Sequence, residues 1–450
     1  MKQFRYILVI FLTFSVVLSC DFLEVDPPVN FIDSELVIVD RTGLDAAVTG
    51  VYDGLQSGAI VLDFVVIADL AADNLTAVGS KIDYVTINNH NAFASNIYVE
   101  AVWDAHYDVI NRANNVIANL SKEIDGVPED LKNRIKGEML FVRAYCYFNL
   151  VRMYGGVPLR TVPVASASND DIFIGRSTSD QTFLQINKDL TEAAQLLEGR
   201  GAGNSILANE AAVLGLQARV KLEEQEWFVA AELATKVIGE FGYTLDENYS
   251  AIFDETSASE EIIFQIDFIN DDDVNTIANW LLEAGRYEAA ATEDIYFLYD
   301  GFDARADVST GLAGASDYFC NKYTGLQNDK DNFIVMRLAE MYLIAAEAQN
   351  ELSDSPGANA FDNLNAIKGR AGLDSVSNLE LTSKIAFREA VAIERRKELA
   401  FEGHRWFDLV RTGEAQDVLE ISNPNKLIFP IPQSEIDTNL HPDMFQNDDY

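Results

Sequence analysis

Histidine is scarce, cysteine scarcer, and positive charge is outnumbered: the 450-residue chain holds four His, three Cys and 33 Lys or Arg against 72 Asp or Glu. Each shortage closes a class of function. Three cysteines cannot build a disulfide framework, and none lies near a His at a spacing that suits zinc. His90, His106, His404 and His441 are far apart and none belongs to an HExxH pair, so nothing supports a His-centred catalytic site. No GxSxG elbow occurs. GRGAGN (199–204) fits neither a phosphate loop nor a dinucleotide fingerprint and reads as a flexible linker.

The deficit of cations leaves a formal charge of −39. Such a surface repels phosphates and other polyanions at long range, which excludes nucleic acid and favours a neutral over a polyanionic carbohydrate partner. With 48% hydrophobic and 10% aromatic residues the chain has ample apolar area for a core. The acids are too many to be informative singly, since a glycosidase-like carboxylate pair could be drawn almost anywhere. The run Asp271-Asp272-Asp273 lacks EF-hand spacing and reads as a solvated loop, so no metal or cofactor is expected.

Long apolar runs are also few. Tyr6 to Leu18 is uncharged but spans only 13 residues, short of the roughly 20 that cross a bilayer. With Lys2 and Arg5 in front of it, it reads as a secretory leader. Val17-Leu18-Ser19-Cys20 resembles the lipobox of bacterial lipoproteins. The expectation is that residues 1–19 are removed, which takes the charge from −39 to −41, and that Cys20 is lipidated and anchors a protein that does not span the membrane. Cys146 and Cys320 then remain, and Cys146 lies in the apolar run FVRAYCYFNL, so two unpaired thiols are expected. Length alone allows three domains, but the pattern favours one, 20–450.

Helical periodicity dominates what is there. Helices are expected over 100–121, 128–153, 209–222, 227–238, 335–352 and 358–370. The last four form two similar pairs, each a helix, a short turn and an Ala-rich helix, as in tetratricopeptide-like units. Regions 60–98 and 265–330 show no sustained period and are expected to be irregular and to carry the ligand. A short strand pair is expected at 261–268 and some strand near 427–432. The fold class is therefore mainly α, a tetratricopeptide-like helical spine with an irregular, loop-rich half and little β.

One stretch departs from the average. ERRKELAFEGHRWFDLVR (394–411) is half charged in a chain that is 23% charged. On one helix Glu394, Glu398 and Glu402 would stand at i, i+4 and i+8, with Arg395 and Arg405 in reach and Arg396 on another face. No nucleophile or ligand set accompanies them, so the expectation is structural ion pairing.

This stretch resembles the C-terminal signature of the SusD/RagB family of outer-membrane nutrient-binding lipoproteins. CDFLEVDPP (20–28), WDAHYDVINRANNVI (103–117), EMLFVRAYCYFNLVRMYGGVPL (138–159), LAEMYLIAAEAQNEL (338–352), LNAIKGRAGL (364–373) and the ending FPIPQSEIDTNLHPDMFQNDDY (429–450) resemble it too, in the family's order. The resemblance implies a non-catalytic, lipid-anchored, cell-surface protein that captures oligosaccharides and closes over a SusC-type TonB-dependent transporter. The alternatives are a surface glycoside hydrolase built on helices and a family member that captures peptide or glycoprotein. The matched motifs are mostly scaffold and carry no ligand residues across. A sugar needs exposed aromatics beside polar groups. Trp280 alone among four tryptophans lies in the irregular half. The candidate ligand residues are Trp280, Arg286, Tyr287, Tyr318 and Tyr323, with Asp73 and Asn74 as polar contacts.

Overall fold

The computed structural model describes residues 38–164, 169–201, 203–254, 259–268, 274–299, 301–326 and 331–450. The expected leader, Cys20 and the Asp271–Asp273 run lie outside the described residues. Helix makes up 55% and strand 7%, which is the mainly α fold that the periodicity implies.

The first helix, Arg41–Leu55 (α1), starts at Asp40, whose carboxylate accepts from the Gly43 amide at 2.8 Å. A π-helical turn, Ala59–Asp63, leads into Phe64–Leu70 (α2), then strand Leu75–Ala77 (β1) and helix Ile82–Asn88 (α3). Two long helices follow, Ile97–Leu120 (α4), capped by Asn96, and Glu129–Tyr154 (α5), ended by Gly155 at φ +76°. Ser179–Leu196 (α6) opens with a capping box between Thr178 and Gln181. Glu210–Glu223 (α7) and Trp227–Glu240 (α8) form the first expected pair.

The second half begins with strand Ile262–Ile266 (β2) and short elements Ile277–Leu281 (α9), Ala289–Ala291 (β3), Glu293–Leu298 (α10), Thr310–Ala313 (β4) and Asp317–Cys320 (β5). Strand Phe333–Arg337 (β6) runs directly into Leu338–Glu351 (α11), followed by Ala358–Arg370 (α12), Lys384–Glu398 (α13) and Arg405–Thr412 (α14).

Neighbours in sequence are neighbours in space. α4 packs on α5, α5 on α6, α6 on α7 and α7 on α8, and α11 joins this row by packing on both α8 and α12. This is the tetratricopeptide-like spine. Close approach is built in at Gly137 of α5, where a Cβ would sit 2.8 Å from Leu197. Three antiparallel two-stranded ladders, β1 with β3, β2 with β6 and β4 with β5, lie among the described residues.

Three expectations need correction. Region 60–98 is largely helical, and all seven residues of α2 are buried. An element wrapped by core on every side carries no polar face and so shows no periodicity. Residues 335–337 are strand, because Met336 and Arg337 pair with β2 before α11 begins. No strand forms at 427–432; the Phe429 amide donates to the Met153 carbonyl at the end of α5 and pins the C-terminal segment to the spine. Cys146 and Cys320 are buried and unpaired, as expected.

Candidate ligand-binding face

The charged stretch is largely buried and its charges are paired within the protein. α13 ends at Glu398, and a turn through Phe401 (φ +63°) and Gly403 (φ +76°) separates it from α14, so Glu402 is not on the helix of Glu394 and Glu398. The cations that answer these acids come from elsewhere. Glu398 accepts from Arg305 at 2.9 Å and also from Arg337 and Arg370. Glu402 accepts from Lys322 at 2.6 Å and Arg337 at 2.9 Å, and Glu394 pairs with Arg305 at 2.7 Å. Burial would raise the Glu398 carboxyl, but Arg370, Arg337 and Arg305 overcome it and hold it well below the usual range. Arg395 pairs with Asp408 at 3.0 Å rather than with Glu398, and Arg405 with Asp73 at 2.7 Å rather than with Glu402. The network is scaffold, and its members are spent on one another.

Three of the seven candidate ligand residues belong to that scaffold. Asp73 is clamped by Arg405 and Arg396. Asn74 is fully buried, donating to Asp69 at 2.7 Å and accepting from Arg396 at 3.0 Å. Tyr323 is 3% exposed and donates to the Phe401 carbonyl at 2.9 Å. Asn74 and Tyr323 have no free surface for a sugar, and the partly exposed Asp73 carboxylate is held by two guanidiniums.

The other four come together around the segment that enters β3. The amides of Arg286 and Glu288 donate to the carbonyls of Asn279 and Trp280 at 2.6 and 3.0 Å, folding 282–286 back over α9. Gly285 is needed there, since a Cβ would lie 2.4 Å from the Asn279 carbonyl oxygen. The fold-back carries the Arg286 guanidinium to 4.8 Å from the Trp280 ring centroid. Tyr287, at φ +51°, donates to the Tyr318 carbonyl at 2.6 Å and so ties this segment to β5. Burial, with Asp317 and Glu283, pushes the Tyr287 hydroxyl up to about 12, so it stays a neutral donor.

The result is two aromatic groups flanking one segment. Trp280 is partly buried against Tyr84 and Tyr98, with ring centroids 5.8 and 6.4 Å away, and Lys81 Nζ lies 4.4 Å from its centroid. On the other side the Tyr318 ring meets that of Tyr296 at a tilt, with centroids 4.8 Å apart, and lies 6.1 Å from Phe297, which is 65% exposed. Glu293, 3.4 Å from the Tyr318 hydroxyl, and exposed Asp317 supply a polar rim. An open aromatic face with acids and Arg286 at its edge can cover the C–H face of a sugar and accept from its hydroxyls.

Sequence reasoning missed Lys81, Tyr84, Tyr98, Tyr296 and Phe297. Tyr296-Phe297-Leu298-Tyr299 puts three aromatics in four residues, a signal that was readable. Nothing in sequence links Lys81 or Tyr98 to Trp280. A cavity of about 450 Å³ opens elsewhere, lined by Phe253, Asp254, Asp307, Asn321 and Asp331 among others. Its walls are mostly acidic or polar, Lys322 in them is committed to Glu402, and Phe253 is the single aromatic among its described lining residues, against the several rings gathered around Trp280 and Tyr318.

Known proteins resemble this chain along nearly its whole length. The model of the SusD family matches residues 310–428, and a model described as starch-binding and associating with the outer membrane matches 21–222. SusD-like protein P25 of Formosa agariphila is 27% identical, over 98% of this chain and 97% of its own. Among solved structures, a SusD superfamily protein from Bacteroides vulgatus superposes with a TM-score of 0.81 at 23% identity, covering 91% of this chain and 99% of that one. A laminarin-binding SusD-like protein superposes with a TM-score of 0.80 at 26% identity, covering 91% and 100%.

Proposed function

Because this chain belongs to the SusD/RagB family of non-catalytic binding proteins, we propose that it captures an oligosaccharide at the outer-membrane surface. The observation that carries the reading is the aromatic face formed by exposed Phe297 and half-buried Tyr287, Tyr296 and Tyr318 beside Trp280. Rigid aromatics on an acid-rimmed surface suit a largely uncharged carbohydrate, and the chain's overall charge disfavours a polyanion. The laminarin-binding relative supports a glucan-like ligand.

In this reading Cys20 carries the lipid anchor after removal of 1–19, residues 20–450 act as one domain, and the protein closes as a lid over a SusC-type TonB-dependent transporter. Family membership removes the helical glycoside hydrolase from consideration. A glycan array probed with the soluble chain lacking residues 1–20 tests the binding claim: retention of glycans that Phe297→Ala loses supports it. Retention of peptides with no glycan retained contradicts it. Cys20→Ala should free the protein from membranes without lowering its melting temperature, and a mutant that still pellets with membranes lacking the transporter would remove the anchor.

A further inference from the structure

The cations on Trp280 differ from those of the charged stretch. Lys81 Nζ lies 4.4 Å from the Trp280 centroid and 5.3 Å from that of Tyr98, whose hydroxyl it contacts at 2.6 Å. Among the described residues it forms no ion pair. Arg286 faces the same ring from 4.8 Å, is about half exposed, and has a single carboxylate partner, Glu288, at 3.1 Å. An aromatic ring attracts a cation without neutralising it, so among the described residues Lys81 is left without a paired counter-ion and Arg286 with Glu288 alone.

Two further features converge on the spot. The Tyr84 hydroxyl is fully buried and without a hydrogen-bond partner among the described residues, within electrostatic reach of Asp63, Tyr98, Glu288 and Arg286. Such a donor is costly to leave unmade. Asp63, in the π-helical turn, is the acid whose charge opposes Lys81, and burial pushes its carboxyl up to about 7 against the pull of Lys81. Part of the negative charge behind Lys81 is therefore lost at neutral pH, so two cations here are answered by Glu288 and only part of Asp63.

Resting on the glycan reading above, we propose that Lys81 and Arg286 form with Trp280 a subsite for one acidic substituent, a carboxylate or a sulfate ester, on an otherwise neutral glycan. Arg286 suits a planar or tetrahedral oxyanion through paired N–H donors, and Lys81 adds a point charge. The overall negative charge does not forbid this. Screening confines each charge to roughly 8 Å, so a lone acid at contact meets the two cations, whereas a polyanion must also pass Glu293, Asp294 and Asp317 at the other end.

An array of neutral, uronate-bearing and sulfated oligosaccharides, probed with the full mature chain and with the Lys81→Gln/Arg286→Gln double variant, tests the subsite. The wild type should favour acidic glycans over their neutral counterparts by roughly fivefold or more, and the preference should vanish in the variant and fade in high salt. Preference for uronates alone, or for sulfates alone, supports the subsite and names its anion. Equal retention of neutral and acidic counterparts by the wild type, or a preference that the variant keeps, overturns it and leaves the glycan-binding face standing. Retention of no glycan at all overturns the face, and the subsite with it.

Discussion

The stretch from Glu394 to Arg411 and the segment from Trp280 to Tyr318 both gather side chains that elsewhere bind ligands, and the fold uses them in opposite ways. In the first, every acid of the α13 end meets at least one guanidinium or ammonium inside the protein. In the second, aromatics meet at tilted and edge-on angles with part of their surface exposed and the nearby acids on the rim. Burial with mutual ion pairing marks scaffold. Exposure of groups that water solvates poorly marks a surface kept for something else. Charge density by itself says nothing of which is which.

The comparison breaks first, and hardest, at its buried pole. Arg337 bridges Glu261, Glu398 and Glu402. Arg337→Ala leaves three carboxylates short of a partner and should cost roughly 3–5 kcal/mol, a large share of total stability. Urea melts check this, and a variant that unfolds at the wild-type midpoint would show that the network is dispensable. Trp406, 1% exposed, packs near His90 and Phe429. Its truncation should cost a similar 3–5 kcal/mol.

A smaller effect sharpens the electrostatic side. Burial favours a raised Asp408 carboxyl, yet Arg395 and Arg411 hold it well below the usual range, and Glu402 is lowered in the same way by Arg337 and Lys322. A depressed folded pKa contributes stability that is complete above the ordinary carboxylate value of about 4 and is lost as pH falls below it. The stability that these two carboxylates contribute should therefore hold from pH 7 to about 5 and be lost below about 4, whereas groups such as Asp63, whose carboxyl burial raises to about 7, add stability as pH falls through that value. Arg395→Ala, which leaves Asp408 with Arg411, should cost about 1–3 kcal/mol at neutral pH and flatten the acid drop. Ligand affinity of the folded variant should not change. A stable Arg395→Ala protein that binds no glycan would place the charged stretch in the site after all.

Trp280 sits between the poles. Its ring packs on Tyr84 and Tyr98 while Lys81 and Arg286 lie close to it. Trp280→Ala should lower stability by only about 1–2 kcal/mol and weaken glycan binding as well, because partial burial gives it a share in both. Thermal melts beside titrations check this, and loss of 4 kcal/mol with unchanged affinity would move Trp280 wholly into the core.

These contrasts explain what could be read before the structure. The spine was legible in part because α4, α8 and α12 keep one polar side, and the ion-pair reading of 394–411 held because three acids so close together demand cations. The partners were not legible. Arg305, Arg337 and Arg370 lie 93, 61 and 28 residues from Glu398, and no local spacing encodes such distances. Tyr318 and Tyr323 show the same limit at short range. They are five residues apart in a segment without period, and only the turn after β5 sends Tyr323 inward to the Phe401 carbonyl while Tyr318 stays on the face. The pairing of Asp73 and Asn74 was not legible either, because their arginine partners arrive from more than 300 residues away.

The most direct test of the central claim removes the open aromatics together. Phe297→Ala/Tyr318→Ala takes away exposed or half-exposed rings, so its melting temperature should stay within a few degrees of wild type, while isothermal titration with a glycan that the wild type binds should show affinity reduced by about 2–3 kcal/mol. Unchanged affinity in a protein that melts normally would contradict the account, because the face would then be open for some purpose other than the ligand.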